Sequence, residues 1–92
     1  MSYRVERAGT FNRTLPKFLS RHPQLRERVA RTIADLGTDP DQPNLRLHPL
    51  RGEFEGIHAA WINYDYRILL HVDRGLQVLT LLDIGTHDEV YR

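Results

Sequence analysis

The sequence predicts an α+β domain: a small twisted antiparallel sheet packed on an N-terminal helical hairpin, in the order β-α-α-β-β-β. Three observations carry this. Apolar residues recur at helical spacing twice in the first part of the chain, at Phe11, Leu15, Phe18 and Leu19, then at Leu25, Val29, Ile33 and Leu36. The segment that follows, Thr38-Asp39-Pro40-Asp41-Gln42-Pro43-Asn44, has turn chemistry throughout. Beyond it, apolar runs separated by Asn63-Tyr64-Asp65 and Asp73-Arg74-Gly75 have the spacing of a three-stranded meander.

Taken in order, Tyr3 to Arg7 alternates and reads as a strand. Thr10 is a candidate cap for the first helix, which contains Pro16. An interior proline loses a backbone hydrogen bond and crowds the preceding turn, so the helix either starts near Thr14 or bends at Pro16. In the second helix Pro23 suits a first helical position and Gly37 the position after the end. Ile57 to Ile62 and Tyr66 to Val72 are strands joined by the Asn63-Tyr64-Asp65 turn, and Gly75 is expected to supply a positive φ in the next turn. Leu76 to Ile84 is nearly all apolar, which suggests a central strand covered by the helices.

With 92 residues the chain is expected to form a single domain, 1–92. A chain of this size buries roughly 60 to 65% of its unfolded surface, which leaves a thin core and little room for a deep pocket. There is no cysteine, which excludes a disulfide framework and thiol ligands. No apolar run approaches the roughly 20 residues that span a bilayer. Met1-Ser2-Tyr3-Arg4-Val5-Glu6-Arg7 has no signal-like apolar stretch, so a cytoplasmic location is expected.

The net charge of +1 conceals an uneven distribution. Up to Ala34 eight cations face two acids, and from Asp35 onward five cations face ten acids. A basic helical face is either simply solvated or a phosphate-binding surface; arginine, twelve of the thirteen cations, suits bidentate phosphate contacts.

The chemically interesting side chains gather late in the chain. His48, Asp65, Arg67, His87 and Tyr91 fall at strand ends and turns, where a scaffold can present charge without burying it. General acid–base catalysis needs one group to take a proton and another to give it, with cations placed where negative charge builds. Histidine suits either proton role, since its ordinary pKa of about 6.5 lies near working pH. Each of these residues also has a structural reading. His48 before Pro49 can shape a turn, Asp65 can bond its own backbone, and Arg67 can pair with Asp65, Asp83 or Glu89. His22, His58 and His71 belong to no motif and read as structural or solvent-facing, and no spacing suggests a metal site.

Three motifs in order carry a family resemblance: Leu47-His48-Pro49-Leu50 with Gly52 and Gly56; Asn63-Tyr64-Asp65-Tyr66-Arg67-Ile68; and Leu82-Asp83-Ile84-Gly85-Thr86-His87 ending in Val90-Tyr91. With these the chain resembles the RelE/ParE superfamily of type II toxin-antitoxin toxins, in its RelE/YafQ-like mRNA interferase branch. The resemblance covers essentially the whole chain. It implies a RelE-like fold and a ribosome-dependent endoribonuclease that cleaves mRNA in the A site without a cofactor. It further implies His87 as general acid, His48 as base or phosphate contact, Asp65 as base or orienter, and Arg67 at the scissile phosphate. Tyr91 would stack on a base or bond near the 2′-OH, with Trp61, Tyr66 and Arg51 binding substrate. Trp61 stands where YafQ-like members carry histidine, and Tyr66 where they carry tryptophan, so the site is a hybrid in which Arg67 is the RelE-like feature. The implied partners are a separate antitoxin chain, forming a hetero-oligomer, together with mRNA and small-subunit ribosomal RNA, and no membrane. Two other readings share the fold: a ParE-like inhibitor of DNA gyrase, and an inactive antitoxin-binding module.

Overall fold

The computed structural model describes residues 2–50 and 56–90. Arg51 and Tyr91, two of the expected site residues, lie outside the described residues. The elements are β1 (Arg4–Arg7), α1 (Gly9–Arg21), α2 (Arg26–Thr38), β2 (His48–Pro49), β3 (Ile57–Trp61), β4 (Tyr66–Asp73), β5 (Val78–Thr86) and α3 (His87–Val90), with 3-10 turns at Pro23–Leu25 and Pro43–Leu45. No helix among the described residues is long and apolar enough to cross a membrane.

The strands form one five-stranded sheet in the order β1-β5-β4-β3-β2. The expected meander is present, but the sheet is mixed: β1 runs parallel to β5, with Arg4 opposite Val78 and Arg7 opposite Leu81. The helical hairpin carries the chain from β1 at one edge of the sheet to β2 at the other, and the meander then brings it back to β5 beside β1. β5 therefore has neighbours on both sides over its first half, which accounts for its apolar content. β2 is an additional strand of two residues, too short for an alternating pattern to reveal.

The first helix begins earlier than the sequence suggested. Ala8, not Thr10, is the N-cap residue, and its N–H donates to Leu81 O at 2.9 Å, so the helix leaves directly from the end of β1. Thr10 Oγ1 donates to Leu82 O at 2.6 Å and ties the first turn to β5. Pro16 lies within α1 and is exposed, as is Asn12 one turn earlier, so the carbonyl that loses its partner faces water. Pro23 opens a 3-10 turn ahead of α2. Gly37 is inside α2 instead of beyond it, because β1 passes close by: a Cβ there would stand 3.1 Å from Val5 Cγ2, and Tyr3 N donates to Gly37 O at 2.7 Å.

Phe11, Phe18, Val29 and Leu36 from the helices meet Ala60, Ile62, Ile68, Leu70, Leu79, Leu81 and Ile84 of the β3–β5 region in one core. Residues facing each other across antiparallel strands project to the same side. The row Ala60–Ile68–Ile84 is on the helix side, so the adjacent row Trp61–Arg67–Gly85 is on the open side. A bulge makes this possible. Leu69 pairs with Asp83 and Leu70 with Leu81, leaving Leu82 as the extra residue. It switches the alternation along β5, so that Leu79 and Leu81 share the core side with Ile84 and not with Asp83.

In the turn after β4, the positive φ belongs to Gln77, at 56°, not to Gly75. Asp73 Oδ1 instead accepts from Leu76 N at 2.9 Å, which closes the turn through a side chain. Nearby, both terminal nitrogens of Arg74 donate to the two carboxylate oxygens of Asp41 at 2.9 Å, fastening the loop after α2 to the β4–β5 turn. That hydrogen-bonded guanidinium holds the Asp41 carboxyl below its usual range, and the same pair raises Arg74 above its own.

Candidate active site

An open cavity of about 600 Å³ lies at the end of the sheet where β3 turns into β4 and β5 enters α3. Among the described residues it is lined by Trp61, Tyr64, Asp65, Tyr66, Arg67, Thr86, His87 and Asp88. Of the residues singled out from the sequence, it thus brings together Asp65, Arg67 and His87 with Trp61 and Tyr66.

One wall is the turn Asn63 to Tyr66, held rigidly from two sides. Asn63 Oδ1 accepts from Asp65 N at 2.9 Å and from Tyr66 N at 3.0 Å. From below, Arg67 Nη1 donates to the carbonyls of Asn63, Tyr64 and Tyr66 at 2.9, 3.0 and 3.1 Å. Arg67 is only 7% exposed and forms no ion pair among the described residues, so its charge is met by backbone dipoles instead of the carboxylates considered from the sequence. Its guanidinium also lies over the Trp61 ring, 4.2 Å from the centroid. The Asp65 side chain is exposed at the top of this turn.

The opposite wall is set by a reciprocal cap. Thr86 N donates to Glu89 Oε1 at 2.8 Å and Glu89 N donates to Thr86 Oγ1 at 3.2 Å, the two bonds of a capping box. Gly85 permits it, since a Cβ at that position would stand 2.8 Å from Glu89 Oε1. His87 is therefore the first residue of α3, and Val90, buried in the core side, anchors the other end. The imidazole is exposed, with Nδ1 3.5 Å from Asp88 Oδ1. Glu89, a possible ion-pair partner of Arg67 from the sequence, instead closes this box with Thr86, and Thr86-His87-Asp88-Glu89 has the S/T-x-x-E spacing that signals it.

His48 does not line this cavity. On β2 it stands opposite Ala59 of β3, in line with the row Ala59–Leu69–Asp83, on the same open side as Trp61 and Arg67 but three strands from β5. At about 4.8 Å per strand that is roughly 14 Å across the sheet. Its Nδ1–H donates to Arg46 O at 2.8 Å; a carbonyl only accepts, so this bond selects the tautomer. Arg46 is left-handed, with φ 48°, and its guanidinium lies 4.3 Å from the centroid of Trp61. His48 is thus linked to the cavity through Arg46 and Trp61, and Arg46 had no motif to mark it.

Trp61 is half-buried outside the core cluster, with two guanidiniums over its ring and Tyr64 nearly perpendicular at 5.9 Å. Tyr66 packs on the helix side, against Phe18 at 5.2 Å and His22 at 4.7 Å, and separates the cavity from a second one of about 340 Å³. That second cavity runs between α1 and the end of β5, with Lys17 and Arg21 on its helical wall. Among the described residues, no group of three or more His, Asp or Glu side chains is arranged to hold a metal ion.

No protein-family sequence model matches the chain, and no curated protein matches it by sequence. Solved structures do. The toxin-antitoxin complex RelBE2 from Mycobacterium tuberculosis contains a chain 25% identical, with 95% of this chain and 100% of that one covered at a TM-score of 0.75. The DinJ-YafQ toxin-antitoxin complex of E. coli is 18% identical, with 100% of both chains covered and a TM-score of 0.80. The YoeB/ParE toxin from Agrobacterium tumefaciens is 18% identical over 91% of this chain and 98% of that one, with a TM-score of 0.73. The fold is that of the toxins of type II toxin-antitoxin systems. Among structures of that fold the chain is similar to RelE- and YafQ-type toxins, the resemblance its three motifs suggested.

Proposed function

We propose that this chain is the toxin of a type II toxin-antitoxin pair and that it cuts mRNA in the ribosomal A site. The observation that carries the reading is that one open cavity gathers Asp65, Arg67 and His87 on a RelE/YafQ-like fold. In the reaction the 2′ oxygen attacks the adjacent phosphorus as its proton passes to the Asp65 carboxylate. His87 gives a proton to the departing 5′ oxygen, which leaves a 2′,3′-cyclic phosphate and a 5′ hydroxyl. Arg67, fixed beneath the cavity, supplies positive charge as the phosphorane builds up its own negative charge. His48 acts at one remove, by holding the Arg46 backbone beside Trp61.

The partner is a separate antitoxin chain, as in the two complexes named above, and the exposed arginines of α1 and α2 face ribosomal RNA in the cytoplasm. The test is primer extension on a translated reporter mRNA after induction, with wild type beside His87→Ala. Cuts inside codons that require translation and disappear in the variant are expected. Uncut mRNA with growth still arrested would overturn the ribonuclease reading in favour of a toxin that acts by binding, such as a gyrase inhibitor.

A further inference from the structure

Of the described Phe, Tyr and Trp side chains only Tyr64 is largely exposed, at 79%. An isolated surface tyrosine is ordinary, but this one is presented by a turn with little freedom to move. Five hydrogen bonds from Asn63 and Arg67 fix the backbone on both sides of it. Its ring leans nearly at right angles, 81°, on Trp61, whose own ring already lies beneath the guanidiniums of Arg46 and Arg67. Trp61 thus buttresses the turn, and of the aromatic rings lining the cavity that of Tyr64 is the most exposed. It forms the rim of the cavity that also holds His87. A rigid exposed ring beside cationic groups is what an unstacked nucleobase requires, since the flat face is offered without an ordering cost.

We propose that Tyr64 is the stacking platform for one unpaired base of the RNA, next to the phosphate that His87 serves. The proposal rests on the ribonuclease reading and adds a binding subsite to it. Because every base has a π face, the platform holds the strand in place while leaving base identity to be read elsewhere.

The test is single-turnover cleavage of mRNA on programmed ribosomes with an empty A site, using the full chain as wild type, Tyr64→Phe, Tyr64→Leu and Tyr64→Ala. Loss of one stacked base lowers kcat/KM by about 5- to 150-fold. That loss is expected for Ala and for Leu, which keeps apolar bulk without a π face, while Phe stays within about two-fold of wild type. All four should melt at the same temperature, because the side chain is exposed. The same mRNA is then made abasic at each position of the A-site codon in turn. At one position the abasic substrate should slow wild type to the Tyr64→Ala rate and slow Tyr64→Ala no further. Wild-type cleavage that is unaffected by Tyr64→Ala, or a Phe variant as slow as Ala, or no coupling at any codon position, would overturn the platform and leave the ribonuclease reading standing. A wild-type protein that makes no cut on ribosomes would overturn both.

Discussion

Arg67→Ala separates a scaffold role from a chemical one more sharply than any other substitution. Arg67 Nη1 donates to the carbonyls of Asn63, Tyr64 and Tyr66, but the Tyr66 carbonyl also accepts from Ile62 N at 3.0 Å and keeps that partner. Removing the side chain therefore strands two carbonyls, of which that of exposed Tyr64 can turn to water. Hydrogen bonds to a charged donor contribute about 1.5–3 kcal/mol each, so with that discount the loss is about 2 kcal/mol. The contact with the Trp61 ring adds about 1 kcal/mol. The total of about 3 kcal/mol lowers Tm by roughly 12–24 °C for a domain of this size. Thermal unfolding followed by circular dichroism, with a urea titration beside it, measures the change. His87→Ala is the control, and its melting temperature should be unchanged because the imidazole is exposed, at 62%. A fall in Tm of less than about 4 °C for Arg67→Ala would refute the clamp, because at this domain size it means under 1 kcal/mol. The same experiment decides how RNA cleavage by Arg67 variants is to be interpreted, since activity lost to unfolding says nothing about the phosphate.

Three further outcomes follow from the geometry. Glu89→Ala breaks the box that sets the start of α3 at a cost of about 1 kcal/mol. Amide exchange at residues 86–90 should then quicken about five-fold. Glu89→Gln should leave it unchanged, and equal exchange in both variants would show that the box does not hold His87. Gly56→Ala should destabilise by about 1–2 kcal/mol from its φ of +80° alone, with more from a Cβ placed 2.8 Å from His71 Nε2. Adding His71→Ala should recover only the second part, as a denaturant series on both variants will measure. Arg74→Ala should cost about 0.5–1 kcal/mol at pH 7, because the pair it breaks is at the surface. Asp41 has a lowered folded pKa, so its contribution is present above its unfolded value of about 3.9 and is lost as pH falls through the folded one. The difference between wild type and variant should vanish in acid and shrink in 1 M salt; a pH-independent difference would contradict the pairing.

How far the sequence could be read depended on the range of the interaction concerned. The helical spacing of Phe11, Leu15 and Phe18, and of Leu25, Val29 and Leu36, is a local pattern, and both helices form where it appears. The last three strands are likewise found within a few residues of their apolar runs. The capping box at Thr86 and Glu89 was equally local and went unread. Turn chemistry misled at Gly37 and Gly75, where the general preference of glycine for positive φ was outweighed by the close passage of β1 and by the Asp73 side chain.

By itself the sequence determined the two helices of the hairpin and the strands β1, β3, β4 and β5, and that Asp65, Arg67 and His87 fall near element ends. Only the tertiary structure decided that β1 joins β5 in parallel, that the bulge at Leu82 turns Asp83 from the core side, and that His48 is held away from His87. It also decided that Arg67 is buried under its own turn while Tyr64 is left exposed above it. Local preferences follow from each residue and its near neighbours in the chain, whereas burial and pairing depend on which distant segments are brought together, and that is settled by the core as a whole.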